Sequence, residues 1–478
     1  MSFCFRALRI SAVLERWRTQ KEGRRGRAVV IGAGISGLLF ARVLSEAFDR
    51  VTVVERDALP EGAVARKGVP QARHLHSLAA RGSRILEELF PGFDAELAAA
   101  GCPLLDQASD AVTEFAAGRL PRFRSGITMR AASRALIERR IRARLEREPA
   151  IAFLPGREVV GLLPGSKGVS GVRMRLRQDG SVEKLAADLV VDASGAGSRV
   201  PRWLEEMGHE APKETVVDAR LGYATRWYRV PKDFPGDWTG VAVLPGWPET
   251  TRGGTLRRVE GDLWTAVLIG TGGDYPPTDP EGFASFASSL HSPVIHDAIR
   301  SAEPASPVYG YRRTANRLRH YEKVDLPENL LIAGDAACVL NPSYGQGMTA
   351  AALSAAALRE CLNKGTSNLS RRFQRRQRRA VAPCWTATTN SDAQWATKGV
   401  EDLNPARRVL YRISEEVMNL AVEREDVART LLGVKNVIQP PAALLRPGIL
   451  VPALARAAIR TSADPARPPA EDRLIADR

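Results

Sequence analysis

Three glycines open an apolar run in AVVIGAGISGLLFARVLSEAFDRVTVVERD, residues 28–57, and an acid closes it. In Gly32-x-Gly34-x-x-Gly37 the first glycine permits a tight turn, the second lets a pyrophosphate approach the backbone, and the third lets a helix pack on a strand. The free N–H groups and partial positive charge of a helix N-terminus then face the anion. Glu55 stands eighteen residues past the last glycine, at the end of a second apolar strand, where a carboxylate accepts both hydroxyls of a ribose; Arg56 follows it. The glycines alone are a weak signal. With strand, helix, second strand and terminal acid all present, the segment predicts a dinucleotide site.

Those residues need a βαβ unit to hold them, and it reads as a strand over 27–31, a helix over 37–48 with Leu38, Leu39, Val43 and Leu44 on one face, and a strand over 50–55. Further on, Val172, Met174 and Leu176 alternate with Arg173, Arg175 and Arg177, and Asp179-Gly180 turns the chain into LAADLVVDASG. This is a hairpin feeding another buried strand. Residues 201–313 are richer in Trp, Tyr, Pro and Gly, and stretches such as LGYATRWYRV and DLWTAVLIG predict an antiparallel sheet in a second, substrate-facing domain. The segment ENLLIAGDAACVLNPSYGQGMTAAALSAAALREC then returns to strand, glycine turn and long Ala/Leu helix. The nucleotide domain is therefore discontinuous. The expected organisation is a basic extension over 1–26, a Rossmann-like domain over 27–105, 126–200 and 314–365, and a substrate domain over 106–125 and 201–313. A basic helical region over 366–460 and a disordered tail over 461–478 complete it.

A chain of 478 residues has room for two or three domains with buried cores. Its five cysteines, Cys4, Cys102, Cys338, Cys361 and Cys384, show no paired spacing, which argues against a disulfide framework or a zinc site and fits a reducing, cytoplasmic setting. No run of eighteen apolar residues predicts a transmembrane segment, and the charged first 27 residues do not read as a signal peptide. Of the formal charge of +15, twelve units come from residues 1–27 and 371–380. The remainder is nearly neutral and carries no nucleic-acid motif, so nucleic acid is not an expected partner. Arg371, Arg372, Arg375, Arg376 and Arg379 share one helical face, read as solvated, and the apolar stretch 443–460 reads as a helix packed on the body.

NLLIAGDAACVLNPSYGQGMTAA resembles the second flavin motif of the para-hydroxybenzoate hydroxylase-like flavoprotein monooxygenases, and LAADLVVDASGAGSR resembles their middle motif. In order and spacing the resemblance runs from about residue 27 to 365. It implies an α/β plus β fold: a discontinuous, GR2-type FAD-binding domain, an antiparallel-sheet substrate domain and a C-terminal helical region. Asp335 would accept a hydrogen bond from a ribityl hydroxyl of FAD. Pro342 and the 344–348 turn, with Gly345, Gln346, Gly347 and Met348, would lay N–H groups against the flavin N1–C2=O edge at the start of a 347–362 helix. A helix N-terminus there stabilises the negative charge of reduced flavin. Arg66 in ARKGVPQ and Arg134 in SRALIERRI fall where the family places arginines that contact the cofactor.

The middle motif departs from the family pattern. Its usual Asp-Gly pair reads Ser194-Gly195, preceded by Asp192, and Gly197 stands where an arginine commonly follows. In the family that element serves both FAD and the nicotinamide, so the expected electron source is NAD(P)H or a separate flavin reductase. RKGVPQARHLHSL, YATRWY, HSPVIHDAIRSAEPASPVYGYRRTANR and LNPSYGQGMTAAA are more similar to polyether-antibiotic epoxidases and related natural-product oxygenases. The resemblance implies an FAD-dependent monooxygenase that uses O₂, through a flavin C4a-hydroperoxide, to epoxidise or hydroxylate a lipophilic alkene- or arene-bearing intermediate. The alternatives are a flavin-dependent reductase of isoprenoid double bonds and a non-catalytic flavoprotein that binds a partner through basic helices. A halogenase of this fold needs a catalytic lysine and Trp-x-Trp-x-Ile-Pro, whereas GDLWTAVLIG offers one tryptophan.

His74 and His76 lack acidic partners at metal-ligand spacing, so no metal is expected, and both are candidates for hydrogen bonding beside the flavin. Tyr223, Trp227 and Trp264 lie on strand-like stretches of the substrate domain and are candidates for lining an apolar cavity. No Tyr/His relay for removing a phenolic proton is visible, which favours epoxidation.

Overall fold

The computed structural model describes residues 26–66, 68–166, 168–395 and 403–463. Most of the basic extension, and the tail from 464, lie outside these described residues. A five-stranded parallel sheet forms the base of the molecule, with strand Arg27–Ile31 between Leu189–Asp192 and Arg50–Glu55, and with Leu330–Ile332 and Ile151–Pro155 at its edges. Its strands are apolar on both faces because both are covered. One face packs under helices Ile35–Leu44, Arg134–Leu145 and Gly347–Leu362 through Val30, Val53, Leu38, Ile141 and Ala355. The other packs under a three-stranded sheet (Arg157–Gly165, Gly168–Leu176, Val182–Ala186), with Val172, Met174 and Trp203 against Val29 and Val190. Strands from both ends of the sequence thus meet in one sheet, as a discontinuous domain requires.

The glycine-loop helix spans Ile35–Leu44 rather than 37–48. Gly34, in extended conformation, caps it, and tight turns at Ala47 and Phe48 bury Phe48 so that the chain can reverse into the second strand. A seven-stranded sheet stands on the parallel layer; its strands Gly222–Arg229, Leu263–Gly270 and Arg252–Val259 are antiparallel neighbours. Leu256, Trp264, Ala266 and Tyr228 pack beneath helices Pro280–Ser288 and Val294–Ile299 on its outer face. Tyr223, Val267 and Ile269 point the other way, toward Leu75, Tyr311 and Trp395. This inner face is where the site forms.

The C-terminal region is helical, as its periodicity predicts, but the last helix, Pro447–Ala463, runs past the expected start of the tail. Ile449 and Ala453 pack it on helix Pro405–Glu423. Helix Leu369–Gln394 carries the arginine-rich run, in which Arg371, Arg375, Arg376 and Arg379 are exposed as expected and Arg372 is half-buried. Arg372 donates to the carbonyls of Cys361 and Gly365 at 2.8 and 2.6 Å, and Arg376 pairs with Glu360. No described helix is long and apolar enough to cross a membrane.

Candidate active site

The three glycines of the first loop meet different surroundings. Gly32 has φ +99°, and a side chain there would come within 2.6 Å of the Ala193 carbonyl oxygen. A side chain on Gly37 would overlap the Gly32 carbonyl. At Gly34 the nearest atom is Arg134 Nη2, 3.8 Å away. Protein fills the first and third positions, while the second faces open space beside a guanidinium. Helix Ile35–Leu44 starts there with no side-chain cap and no acid in its first turn, leaving its amides free for an anion.

Glu55 ends the second strand, buried, and organises this loop. Its Oε2 accepts the Ala33 N–H at 2.8 Å and pairs with Arg66 at 3.0 Å, while Oε1 accepts the Asp57 N–H at 3.0 Å. A ribose would therefore bind a carboxylate already committed to protein donors. Arg66 also donates to the Ala33 carbonyl at 3.0 Å and pairs with Glu138 at 3.2 Å, and Glu138 pairs with Arg134 at 2.8 Å. Burial opposes the Arg66 charge, but Glu138 and Glu55 more than offset it and hold its pKa above the ordinary value. Arg56 points outward into a cleft of about 490 Å³ that it shares with Asp57, Val64, Arg66 and Arg177. Sequence reasoning missed Glu138, whose one local signal is its position four residues after Arg134.

Asp335 sits in a short turn, Gly334–Ala336, directly after strand Leu330–Ile332. Its carboxylate accepts no hydrogen bond from any described residue, and burial raises its pKa against the pull of Arg134. The turn that follows is anchored from a distance. Asp392, buried in helix Leu369–Gln394, accepts hydrogen bonds from Asn316 at 2.5 Å, Asn341 at 2.8 Å and the Tyr344 hydroxyl at 2.7 Å. Burial pushes the Asp392 pKa up, and these three donors pull it back. Pro342 opens the turn and Gly345 closes it at φ +66°, where a side chain would meet Ser77 at 2.7 Å. Helix Gly347–Leu362 then begins at Gln346 with no side-chain cap. The Gln346 side chain donates to the Lys435 carbonyl at 3.0 Å and keeps a buried oxygen without a donor; Gly347 leaves open space, and Met348 is buried in the core.

These features fit FAD: two uncapped helix starts, an open glycine, an arginine beside it, and a carboxylate and an amide oxygen that lack donors. Asp335→Ala is expected to weaken FAD binding by about 1.5–3 kcal/mol, the worth of a hydrogen bond to a charged group. Fluorescence titration of the apoprotein measures this, and unchanged affinity would remove Asp335 from the site.

His74 is buried, shares a 2.8 Å hydrogen bond with Thr225, and meets Tyr223 and Tyr311 edge-on. His76 contacts the His74 carbonyl at 2.9 Å, and Arg134 reaches it at 3.4 Å. Burial, helped by Arg73, lowers the His74 pKa to about 4, and burial with Arg134 lowers that of His76 to about 3. Both are neutral at physiological pH. Burial, with Tyr311 beside it, pushes the Tyr223 phenol up, so it stays protonated. Among the described residues no group of His, Cys, Asp and Glu could hold a metal ion.

Of the aromatic candidates, Tyr223 and Trp227 share the inner face of the sheet, where the Trp227 indole donates to the Arg73 carbonyl at 2.8 Å. Trp264 does not join them. It lies on the outer face, stacked on Trp238 and edge-on to Phe234, because strand alternation places it with Tyr228 under the helices. In the middle motif, Asp192 is fully buried and accepts the Ser194 N–H at 3.0 Å and the Ser198 hydroxyl at 2.5 Å. It braces the turn rather than replacing the missing acid.

A family described as an FAD binding domain matches residues 26–368. Protein Rv3254 of Mycobacterium tuberculosis (strain ATCC 25618 / H37Rv) is 34% identical over 79% of this chain and 82% of its own length. A kynurenine 3-monooxygenase of Salinispora tropica is 26% identical over 71% of this chain and 73% of its own. Among solved structures, a flavoprotein/dehydrogenase from Cytophaga hutchinsonii superposes with a TM-score of 0.63 at 15% identity, covering 92% of this chain and all of the other. The uncapped glycine loop, the free Asp335 carboxylate and a family match over most of the chain lead to one assignment: the chain belongs to the FAD-binding-domain family and is a flavoprotein of the para-hydroxybenzoate hydroxylase-like monooxygenase type.

Proposed function

We propose that this flavoprotein inserts one oxygen atom of O₂ into an alkene- or arene-bearing natural-product intermediate, with epoxidation favoured over phenol hydroxylation. The observation that carries the reading is the inner face of the antiparallel sheet, where Tyr223, Thr225 and Trp227 pack against Tyr311, His74 and the Arg73 carbonyl, with Arg134 and Asp335 close by. When bound and reduced, FAD supplies the two electrons with which O₂ is divided between product and water. The protein supplies position and a dry cavity. Arg66 and Arg134 would hold the phosphate end, the uncapped start of helix Gly347–Leu362 would turn its amides to the flavin edge, and the aromatic face would exclude water.

The protonation states favour attack on a π bond. Removing a phenolic proton requires a base with a pKa near the working pH, and the buried candidates do not provide one. His74 and His76 have pKa values near 4 and 3, and Tyr223 is shifted upward. Alkene epoxidation needs no such base, because the π electrons attack oxygen directly. Aerobic turnover that consumes one O₂ per product formed supports this function. Product formed equally well without oxygen would contradict it and favour reduction of a double bond.

The electron donor is a second part of the proposal. With Ser194 and Gly197 in the middle motif and Asp192 committed to its own turn, NADPH alone is expected to reduce the bound flavin slowly, and an added flavin reductase to accelerate turnover. Stopped-flow bleaching by NADPH alone at more than about 10 per second, a rate typical of turnover, would sink this expectation.

A further inference from the structure

Exposed large hydrophobic side chains are concentrated in one part of the chain. Among the described residues there are ten, and six of them fall between 409 and 459: Val409, Leu410, Leu445, Val451, Leu454 and Ile459. In helix Pro447–Ala463, Ile449 and Ala453 are buried in the apolar cluster of helices Pro405–Glu423 and Glu425–Lys435. Val451, Leu454 and Ala455, spaced i, i+3 and i+4, lie on the opposite face and are exposed, Val451 at 61% and Leu454 at 43%. Pro447 and Gly448, one turn earlier on the same face, are exposed too. A helix on a protein's surface ordinarily carries polar residues outward. This one has no polar side chain from Pro447 to Ala455, and the cation that follows, Arg456, is forked onto Glu423 at 2.9 and 2.7 Å. A helix apolar on both faces suits two apolar surroundings, and the protein provides one of them.

The charge around this face selects what covers the other. From Val427 to Ala463 the sequence holds five lysines and arginines and no aspartate or glutamate. Arg446, which leads into the helix beside exposed Leu445, is itself exposed. Of the acids just before the stretch, Glu423 and Asp426 are neutralised by Arg456 and Arg424, each at 2.7 Å. A second copy meeting this face across a two-fold axis would set the same cations against each other, because such an interface joins a patch to itself. Anionic lipid headgroups complement it, with the apolar stripe in the acyl boundary and Arg446 among the headgroups.

We propose that the outward face of helix Pro447–Ala463 docks the protein on the surface of a bilayer that contains anionic lipid. The position serves the chemistry. Helix Glu425–Lys435 shares the cluster of Ile449 and Ala453 through Val427, Ala428 and Leu432, and it ends where the Lys435 carbonyl accepts the Gln346 side chain of the flavin turn. One helix thus links the docking face to the flavin turn, which gives a lipophilic substrate dissolved in the bilayer a short path to the site. Delivery of substrate rests on the monooxygenase reading; docking rests on the surface alone.

The test is co-sedimentation of the FAD-loaded full chain with vesicles of phosphatidylcholine alone and of phosphatidylcholine mixed with phosphatidylglycerol. Binding to the mixed vesicles is expected to be about tenfold stronger and to weaken at high salt. Val451→Glu with Leu454→Glu should lower it by about tenfold or more, while bound flavin and the unfolding midpoint stay as in the wild type because both positions are exposed and outside the cofactor site. Wild-type protein that stays in the supernatant, or binds both vesicles alike, overturns the proposal without any variant. Undiminished binding of a folded double variant overturns it by placing the contact elsewhere. A wild-type dimer that the double variant turns into a monomer in sedimentation velocity overturns it too, by assigning the face to a second copy. None of these readouts uses oxygen or turnover, so docking stands or falls apart from the monooxygenase reading.

Discussion

Arg66→Ala is expected to destabilise the protein by about 3–5 kcal/mol, the cost of breaking a buried ion pair by removing one partner. Arg66 is the only cation between Glu55 and Glu138 among the contacts described, at 3.0 and 3.2 Å, and all three groups are buried. Without it Glu55 keeps two backbone donors but no counter-charge, and the Ala33 carbonyl loses its donor. Denaturant unfolding of the apoprotein gives the stability change, and FAD affinity should fall with it because Ala33 belongs to the glycine loop. Arg66→Lys should recover only part of the loss, since an ammonium cannot reproduce the forked contacts to two carboxylates and a carbonyl. A loss below about 1 kcal/mol in the alanine variant would show that the network does not hold the loop.

Gly37→Ala is expected to cost about 3 kcal/mol or more, at the upper end for overpacking, because the added methyl group overlaps a backbone carbonyl that cannot rotate away. Helix Ile35–Leu44 would have to lift from the first strand, and the loop that receives the pyrophosphate would open. Gly34→Ala provides the contrast. Its methyl group would enter open space, so the apoprotein should unfold at nearly the wild-type denaturant concentration, while FAD affinity drops because the space belongs to the ligand. If both variants unfolded alike, the two glycines would not have the separate roles their surroundings indicate.

The local patterns were legible in the sequence. Glycine spacing, two apolar strands and a terminal acid define the first loop within thirty residues. A second strand–turn–helix pattern was legible too, and the resemblance of that segment to a flavin motif implied Asp335 and the 342–348 turn. What escaped was long-range or faced two ways. Glu138 reads as one charge in an arginine-rich helix, and its partnership with Arg66 spans 72 residues of sequence. Asp392 lies 48 residues beyond Tyr344, and nothing in that helix marks it as the anchor of the flavin turn. Trp264 was misplaced because both faces of its strand are buried, so alternation could not say which one carries Tyr223 and Trp227.

The central claim is that this flavoprotein transfers one oxygen atom from O₂ to an unsaturated substrate. Turnover under ¹⁸O₂ with candidate polyene and aromatic intermediates tests it most directly. The account predicts one labelled oxygen atom in the product, carried as an epoxide, with the other atom released as water. A product that gains two hydrogens and no label, or oxygen that comes from solvent, would contradict it.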